Sequence, residues 1–502
     1  MGPILPTMTD HHTGATAPDG ADPQRWRILA VTQVAGFMSL LDVSIVNVAL
    51  PSIQRGLDTT PAMAQWVVSG YALTLGLALV PAGRLGDTFG RRPMFMIALA
   101  GFVTASALSG AAPTIELLIV ARAVQGIAGG TLTPQISGLI QDLFRGAERG
   151  RAFGVLGATI GLSTAVGPVV GGLILAAFGE PNGWRWVFYV NLPIGVFALV
   201  LAARLLPRPT RVSTRPADLD LVGSLLLGGG VLSLMLPLVQ ADAGGPAGIW
   251  LLPVVAALLL AGFVRWEVGT VRRGRQPLLD PRLGHIPGYA AGLSIGLIYF
   301  LGFTGIWLVL ARFFQTGLGY SPLRSGLAVT PFALGVAASA IVAGRLVARV
   351  GRRLTVAGLA AVVVGLVTTA LALRYVEGDA AAWAAAGPLL FGGIGGGMVT
   401  APNITLALES VPVRMAGVAG GALQTGQRVG GAIGTTILVG VFNIALTDTG
   451  GDYSAAVSDA LLCAAALMLI GLGIAIAELV RRRSVGELPA PAPRPEHHLH
   501  HV

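Results

Sequence analysis

A single carboxylate stands inside the first long apolar run of the chain: Asp42, in Leu41-Asp42-Val43-Ser44-Ile45-Val46-Asn47-Val48-Ala49-Leu50-Pro51. An acid within hydrocarbon is costly and tends to be kept for ion or ligand handling. Burial favours its neutral form and a nearby guanidinium its charged form, so its proton can come and go as the surroundings change. A guanidinium is available. Arg122 lies in another apolar run, Leu117 to Gly130, and Arg122, Gln125, Gly129 and Thr133 share one helical face. That face must look into the protein, because Arg does not face lipid cheaply. Asp42 is about eight residues from the outer end of its run and Arg122 about seven, which at ~1.5 Å per residue puts both roughly 10–12 Å below one surface. The pair reads as a proton site in which Arg122 sets the acid's affinity, or as a permanent salt bridge joining two helices.

Gln424, Gln427 and Arg428 form a second polar group, midway along a late apolar run and without an evident acidic partner. They suit hydrogen bonds to a ligand, with Arg428 favouring an anionic one, or packing against backbone carbonyls. Ser39, one turn before Asp42, is a further candidate for a ligand cavity. No G-x-x-x-x-G-K-[ST] loop offers a phosphate cradle, and the seven His lie mainly in the tails, so neither nucleotide nor metal is expected. A lipid-linked transferase would need acids or His gathered at a membrane face, and the sequence gathers none there.

The elements that must position these residues are membrane spans. Of 502 residues, 54% are apolar and 11% charged, too few charges to cover a water-soluble surface. Apolar stretches of about 20 residues recur, each able to cross a ~30 Å layer. Spans are expected near 26–50, 64–82, 93–112, 114–140, 150–178 and 185–206, then 219–240 and 247–268. Six more fall near 288–311, 324–347, 353–375, 381–408, 414–446 and 457–480, about fourteen in all. The net charge of +9 rests on Arg alone, with no Lys and no basic block interleaved with aromatics, which argues against nucleic acid. These arginines fill alternate connections, among them Arg84, Arg91 and Arg92, Arg145 to Arg151, Arg272 to Arg275, and Arg345 to Arg353. The positive-inside rule then places both termini in the cytoplasm. Residues 1–24 lack the apolar core of a signal peptide and read as a disordered tail, as do residues 484–502 with their histidines. Cys463 is alone, so no intrachain disulfide forms.

The chain repeats itself. Gly83-Arg84-Leu85-Gly86-Asp87-Thr88-Phe89-Gly90-Arg91-Arg92 returns 261 residues later as Gly344 to Arg353. Gly154, Gly167 and Gly171 return 263 residues later as Gly417, Gly430 and Gly434, and Gly129 to Pro134 resembles Gly396 to Pro402. Three matches at nearly one offset describe two six-helix halves in parallel repeat, residues 25–206 and 284–483, with two inserted helices in residues 207–283.

Five motifs carry a family resemblance: the Asp42 run; the Arg122 run; the loop Gly83, Asp87, Gly90, Arg91, Arg92, which fits G-x-L-x-D-x-x-G-R-R; Gly154, Gly167, Pro168, Gly171 and Gly172; and Trp184 to Gly195. From about Arg25 to Arg483 the chain resembles the fourteen-helix drug:proton antiporters of the major facilitator superfamily, the EmrB/QacA type. It departs by Ser44 where Thr is usual, Ser163 where Gly is usual, and Ala348 where the repeated loop would carry Asp.

The resemblance implies an all-α exporter of small amphipathic or hydrophobic compounds, drugs or antibiotics among them, in the inner cell membrane. It implies a proton gradient as the drive, no cofactor, no enzymatic activity, and a monomer in contact with membrane lipid. Proton coupling would fall to Asp42 and Arg122, with Ser39, Gln125, Gly129, Thr133, Gln424, Gln427 and Arg428 facing the substrate. Gly83, Asp87, Gly90, Arg91 and Arg92 would form a conformational gate, with Asp87 meeting the dipole of a neighbouring helix. Gly154, Gly167, Pro168, Gly171 and Gly172 would pack the interface between halves. The alternatives are export of a native metabolite, lipid or siderophore, and a non-transporting membrane sensor in which Asp42 is dispensable.

Overall fold

The computed structural model of the chain describes residues 23–179, 181–207, 220–240, 247–275, 277–409, 411–412 and 415–486. Among these residues there is no strand; fifteen α-helices run from Pro23 to Gly486. They are α1 (Pro23–Gly56), α2 (Pro61–Phe89), α3 (Arg91–Ala111), α4 (Ile115–Leu143), α5 (Gly146–Phe178), α6 (Gly183–Tyr189) and α7 (Asn191–Leu205). Then come α8 (Leu221–Gln240), α9 (Leu252–Arg272), α10 (Pro287–Arg312), α11 (Pro322–Val350), α12 (Arg352–Tyr375), α13 (Ala380–Leu408), α14 (Ala416–Asp448) and α15 (Tyr453–Gly486). Among the described residues, twelve helices are long and apolar enough to cross a membrane, and two shorter apolar stretches, Val169–Phe178 and Val222–Pro237, accompany them. The expected tails lie largely outside the described residues, but residues 23–24 already open α1 and 484–486 still close α15.

Local chemistry sets several boundaries. Thr60, Thr114 and Ser321 each accept a hydrogen bond from a first-turn backbone N–H of α2, α4 and α11, and Pro61 and Pro322 supply a first residue already fixed near helical φ. The span expected at 185–206 is present as Gly183–Leu205, with α6 and α7 separated only at Val190, which keeps helical φ and ψ. Pro193 has no N–H to give the carbonyl of Tyr189 and its ring crowds that carbonyl, so the helix carries one irregular turn at Val190. The Ser106 hydroxyl donates to the neighbouring Phe188 carbonyl at 3.1 Å, satisfying a group beside that turn.

The outer surface is apolar. On α4, Leu117, Val120, Val124 and Ile127 are each about half exposed, while Leu118, Arg122, Gln125 and Gly129 are buried. Such stripes recur on α3, α7 and α9, far beyond what a water-soluble monomer exposes. Their solvent is the bilayer.

Helices α1–α7 pack among themselves, as do α10–α15. The two groups meet along two seams, α5 on α11 and α2 on α14, and α8 lies against α2 and α14 with α9 behind it. Leu73 of α2, Val231 and Met235 of α8, and Val429 and Ala432 of α14 form one small apolar cluster there. At the end where α1 begins and α15 finishes, one core joins the groups: Ile140, Phe144 and Phe153 pack with Tyr289, Leu408 and Leu423.

Candidate functional site

The Asp42 carboxylate is completely buried and fully partnered. One oxygen accepts from Arg122 Nη1 at 2.5 Å; the other accepts from Gln125 Nε2 at 3.0 Å and from Asn191 Nδ2 at 2.8 Å. Ser106 ties the donors together, its hydroxyl accepting from Gln125 at 3.2 Å and Asn191 at 2.9 Å. Arg122 also donates to the Val67 carbonyl at 3.1 Å and to Gln125 Oε1 at 2.8 Å, and its guanidinium lies 4.2 Å over the Tyr71 ring. The cage thus draws on α1, α2, α3, α4 and α7, all of the first group.

Two expectations change here. The matched depths rested on α1 ending near residue 50, but α1 continues to Gly56, so Asp42 and Arg122 meet although Asp42 lies farther from its helix end. Gln125, expected to face substrate, is fully buried with both ends of its amide engaged in the cage. Thr133 donates to the Gly129 carbonyl of its own helix at 3.0 Å. Gly129 is needed small: a Cβ there would sit 2.8 Å from the Tyr71 hydroxyl and 3.1 Å from Ser39 Oγ. Ser39 and Tyr71 are hydrogen-bonded at 3.3 Å. Sequence reasoning missed two cage members: Ser106, and Asn191, which was read only as part of an interfacial anchor motif. For Asn191 a signal existed: an amide just after an aromatic cluster and two residues before a proline.

At the end where α1 begins, Asp87 forms an ion pair with Arg91 and accepts from the backbone N–H of Val418 at 3.1 Å, at the N-terminus of α14. A carboxylate there meets the positive end of a helix dipole across the α2–α14 seam. Arg91 reaches Asp142 at 3.5 Å, and Arg92 donates to the Ala203 carbonyl at 2.7 Å. Gly90 has φ +99°, a backbone that side-chain-bearing residues rarely adopt, and Gly83 lies buried in the last turns of α2. In the repeated loop Arg352 donates to Asn403 at 2.7 Å, a residue that follows Pro402 as Gln135 follows Pro134, whereas Arg91 reaches the acid Asp142.

The glycines of α5 divide. A Cβ on Gly154 would lie 2.8 Å from the Ala340 carbonyl and 3.0 Å from Gly344 Cα, on the seam with α11. Gly167 and Gly171 pack instead on α1, at Ser44 and Ile45, within one group. Gly172 has nothing within 4 Å of such a Cβ, because it points away from both neighbours; its expected packing role does not hold. Pro168 lies within the continuous helix α5.

Gln424, Gln427 and Arg428 are half-buried on α14. Gln427 abuts Gly296 of α10, and Arg428 lies within electrostatic reach of Tyr71 across the seam. Beside them is a feature the sequence reading passed over: Tyr299, Phe300, Phe303 and Trp307 of α10 with Phe332 of α11. Tyr299 and Phe303 stack with centroids 5.2 Å apart, and Trp307 meets Phe332 edge-on at 5.2 Å. These rings face Gly157 and Gly161 of α5 around a cavity of about 30 Å³, room for about one water. The signal was present: four aromatics within nine residues of a chain that is 6% aromatic.

Buried charge held by complete partners, small-residue seams between two helix groups, and a helix-end contact closing one end together define a membrane transporter of the alternating type. The Major Facilitator Superfamily profile matches residues 34–435. The chain belongs to that superfamily and is a transporter, not an enzyme. It is 36% identical over 441 residues to the probable actinorhodin transporter of Streptomyces coelicolor, covering 88% of this chain and 76% of that one. It is 38% identical over 432 residues to the puromycin resistance protein pur8 of Streptomyces alboniger, covering 84% and 83%. Among solved structures, the human organic anion transporter MFSD10 superposes with a TM-score of 0.64 at 16% identity, over 90% of this chain and 100% of that one, a likeness of fold.

Proposed function

We propose that this chain is a proton-coupled exporter of small amphipathic or hydrophobic compounds, drugs or antibiotics among them, working as a monomer in the cytoplasmic membrane. On this reading it has fourteen spans: two six-helix halves, residues 25–206 and 284–483, and an inserted pair in 207–283. Both termini are cytoplasmic, so the end closed by Asp87 is the cytoplasmic end. The resistance and export proteins named above support the export reading, and the observation that carries it is the caged Asp42–Arg122 pair.

The cage makes coupling energetically reasonable. Protonating Asp42 leaves Arg122 without its counter-ion, and a buried charge stripped of its partner costs about 3–5 kcal/mol. One proton entering gains about 2.3 kcal/mol per 100 mV and about 1.4 per pH unit, a similar size. Arg122 keeps the Val67 carbonyl, Gln125 Oε1 and the Tyr71 ring face whether or not Asp42 is charged, which lowers that cost. Neutralising Asp42 therefore loosens α1 from α4 without stranding the cation, and alternating access follows from the released contact.

The test is dye efflux from energised inverted vesicles at two values of ΔpH. The wild type is expected to move an amphipathic dye with ΔpH and Asp42→Asn to lose that dependence; equal transport by both would remove Asp42 from the mechanism. A second reading, export of a native metabolite, is favoured by a 31% identical relative named the tetracenomycin C resistance and export protein of Streptomyces glaucescens. Competition by candidate natural products against the dye separates the two.

A further inference from the structure

The second group holds donors without acceptors. Arg428 sits half-buried near mid-helix in α14 and makes no hydrogen bond or ion pair among the described residues. The Trp307 indole N–H is shut from solvent and also lacks a partner. A buried donor left unpaired is costly, and a cation without a counter-charge favours an acidic ligand. The first group offers no relief, because the Asp42 carboxylate is already taken by three donors. Trp307 belongs to the aromatic box that faces Gly157 and Gly161. Gln427, next to Arg428, touches α10 at Gly296, one helical turn (~5.4 Å) from Phe300 of that box. Stacked and edge-on rings with an orphan N–H thus face, across a narrow cleft, Gly157 and Gly161, which pack closely on Val336, Ala340 and Ala401, while the unpaired guanidinium stands on α14, next to the residue that meets α10 a turn from the box.

Resting on the exporter reading, we infer that this cleft takes a planar aromatic anion. Its ring system lies between the box and the glycine face of α5, an oxygen accepts from Trp307, and its acidic group pairs with Arg428. Rings suit the box by stacking, and a guanidinium binds a carboxylate through two parallel hydrogen bonds and a phenolate through charge-assisted bonds to its one oxygen. The box is nearly closed here, at about 30 Å³, against the several hundred Å³ that a drug-sized ligand fills. Occupation therefore requires α5 to part from α11, the movement that alternating access supplies.

The purified full chain is titrated with fluorescein, a planar aromatic anion, by fluorescence anisotropy. Rhodamine 6G, a cation on the same ring system, and taurocholate, an anion without aromatic rings, serve as comparisons. Fluorescein should bind at least about tenfold tighter than either. Arg428→Gln should weaken fluorescein about tenfold or more and leave rhodamine 6G unchanged or tighter, while Arg428→Lys, which keeps the charge but loses the fork, should weaken fluorescein less than Arg428→Gln. Trp307→Phe, which keeps the ring and removes the N–H, should cost severalfold, and a monodisperse profile for each variant guards against misfolding. Equal or tighter binding of rhodamine 6G, or fluorescein binding indifferent to Arg428→Gln and Trp307→Phe, overturns the inference. Binding that follows Arg428 without ΔpH-driven efflux would sink the exporter reading and leave this site standing. ΔpH-driven efflux of cations indifferent to Arg428 would do the reverse.

Discussion

At the scale of single residues, the centre of the molecule is one carboxylate with three donors. Asn191→Leu removes one of them. A buried acceptor left short by a hydrogen bond costs about 1–3 kcal/mol, so the solubilised protein is expected to melt several degrees lower. Asn191→Asp should be worse, since it sets a second acid beside Asp42. Unchanged melting in both would mean that the amide does not hold the carboxylate. Asp42 and Arg122 were legible in the sequence because ionisable residues inside apolar runs are conspicuous. Asn191 and Ser106 were not, because a neutral amide or hydroxyl in a span has many other uses and only the fold shows what it faces. Gln125 was legible as inward-facing but not as spoken for: helical periodicity gives a direction, while the choice between cavity and cage depends on where Asp42 arrives.

At the scale of elements, spans could be counted from hydropathy, but their ends and breaks could not. α1 continues six residues beyond its expected end, and the sixth expected span, Gly183–Leu205, carries one irregular turn at Val190 because of Pro193. Both differences come from backbone hydrogen bonding, which hydropathy does not record. Seam glycines were legible only as a group, and the structure separates them. Gly154→Leu drives a side chain into the backbone of α11 at Ala340 and Gly344; initial transport rates should fall at least about tenfold, beyond the usual 1–3 kcal/mol of an overpacked contact. Gly172→Ala should stay within about twofold, since nothing lies beside it. Rates in vesicles at matched expression check both, and a silent Gly154→Leu would show that α5 and α11 do not need to close this tightly.

At the scale of the whole molecule, the repeat led to the expectation of two similar helix groups, and Ala348 in place of an acid to the expectation that they are unequal in charge. Asp87 and Arg91 hold one end of the first group; Ala348 and Arg352 stand at the matching places of the second. A carboxylate at a helix N-terminus contributes about 0.3–1 kcal/mol, up to ~2 when partly buried. Asp87→Asn is therefore expected to shift the closed-to-open ratio at that end by as much as about thirtyfold. A Cβ at Gly420 would lie 3.3 Å from Ser137 Cβ across the seam. The pair Ser137→Cys and Gly420→Cys, with Cys463→Ala, should thus form a disulfide readily with Asp87 present and poorly with Asp87→Asn. Equal yields would detach Asp87 from closure of this end.

The Asp42 cage is built wholly from helices before residue 206, whereas four of the five rings of the aromatic box and Arg428 stand on α10 and α14, after residue 283. With these roles, the engine and all of the cargo hold except its α5 wall are inherited on separate lengths of chain. Natural recombination within the inserted stretch would then hand an unchanged engine a new hold, which is a short evolutionary road from one exported compound to another.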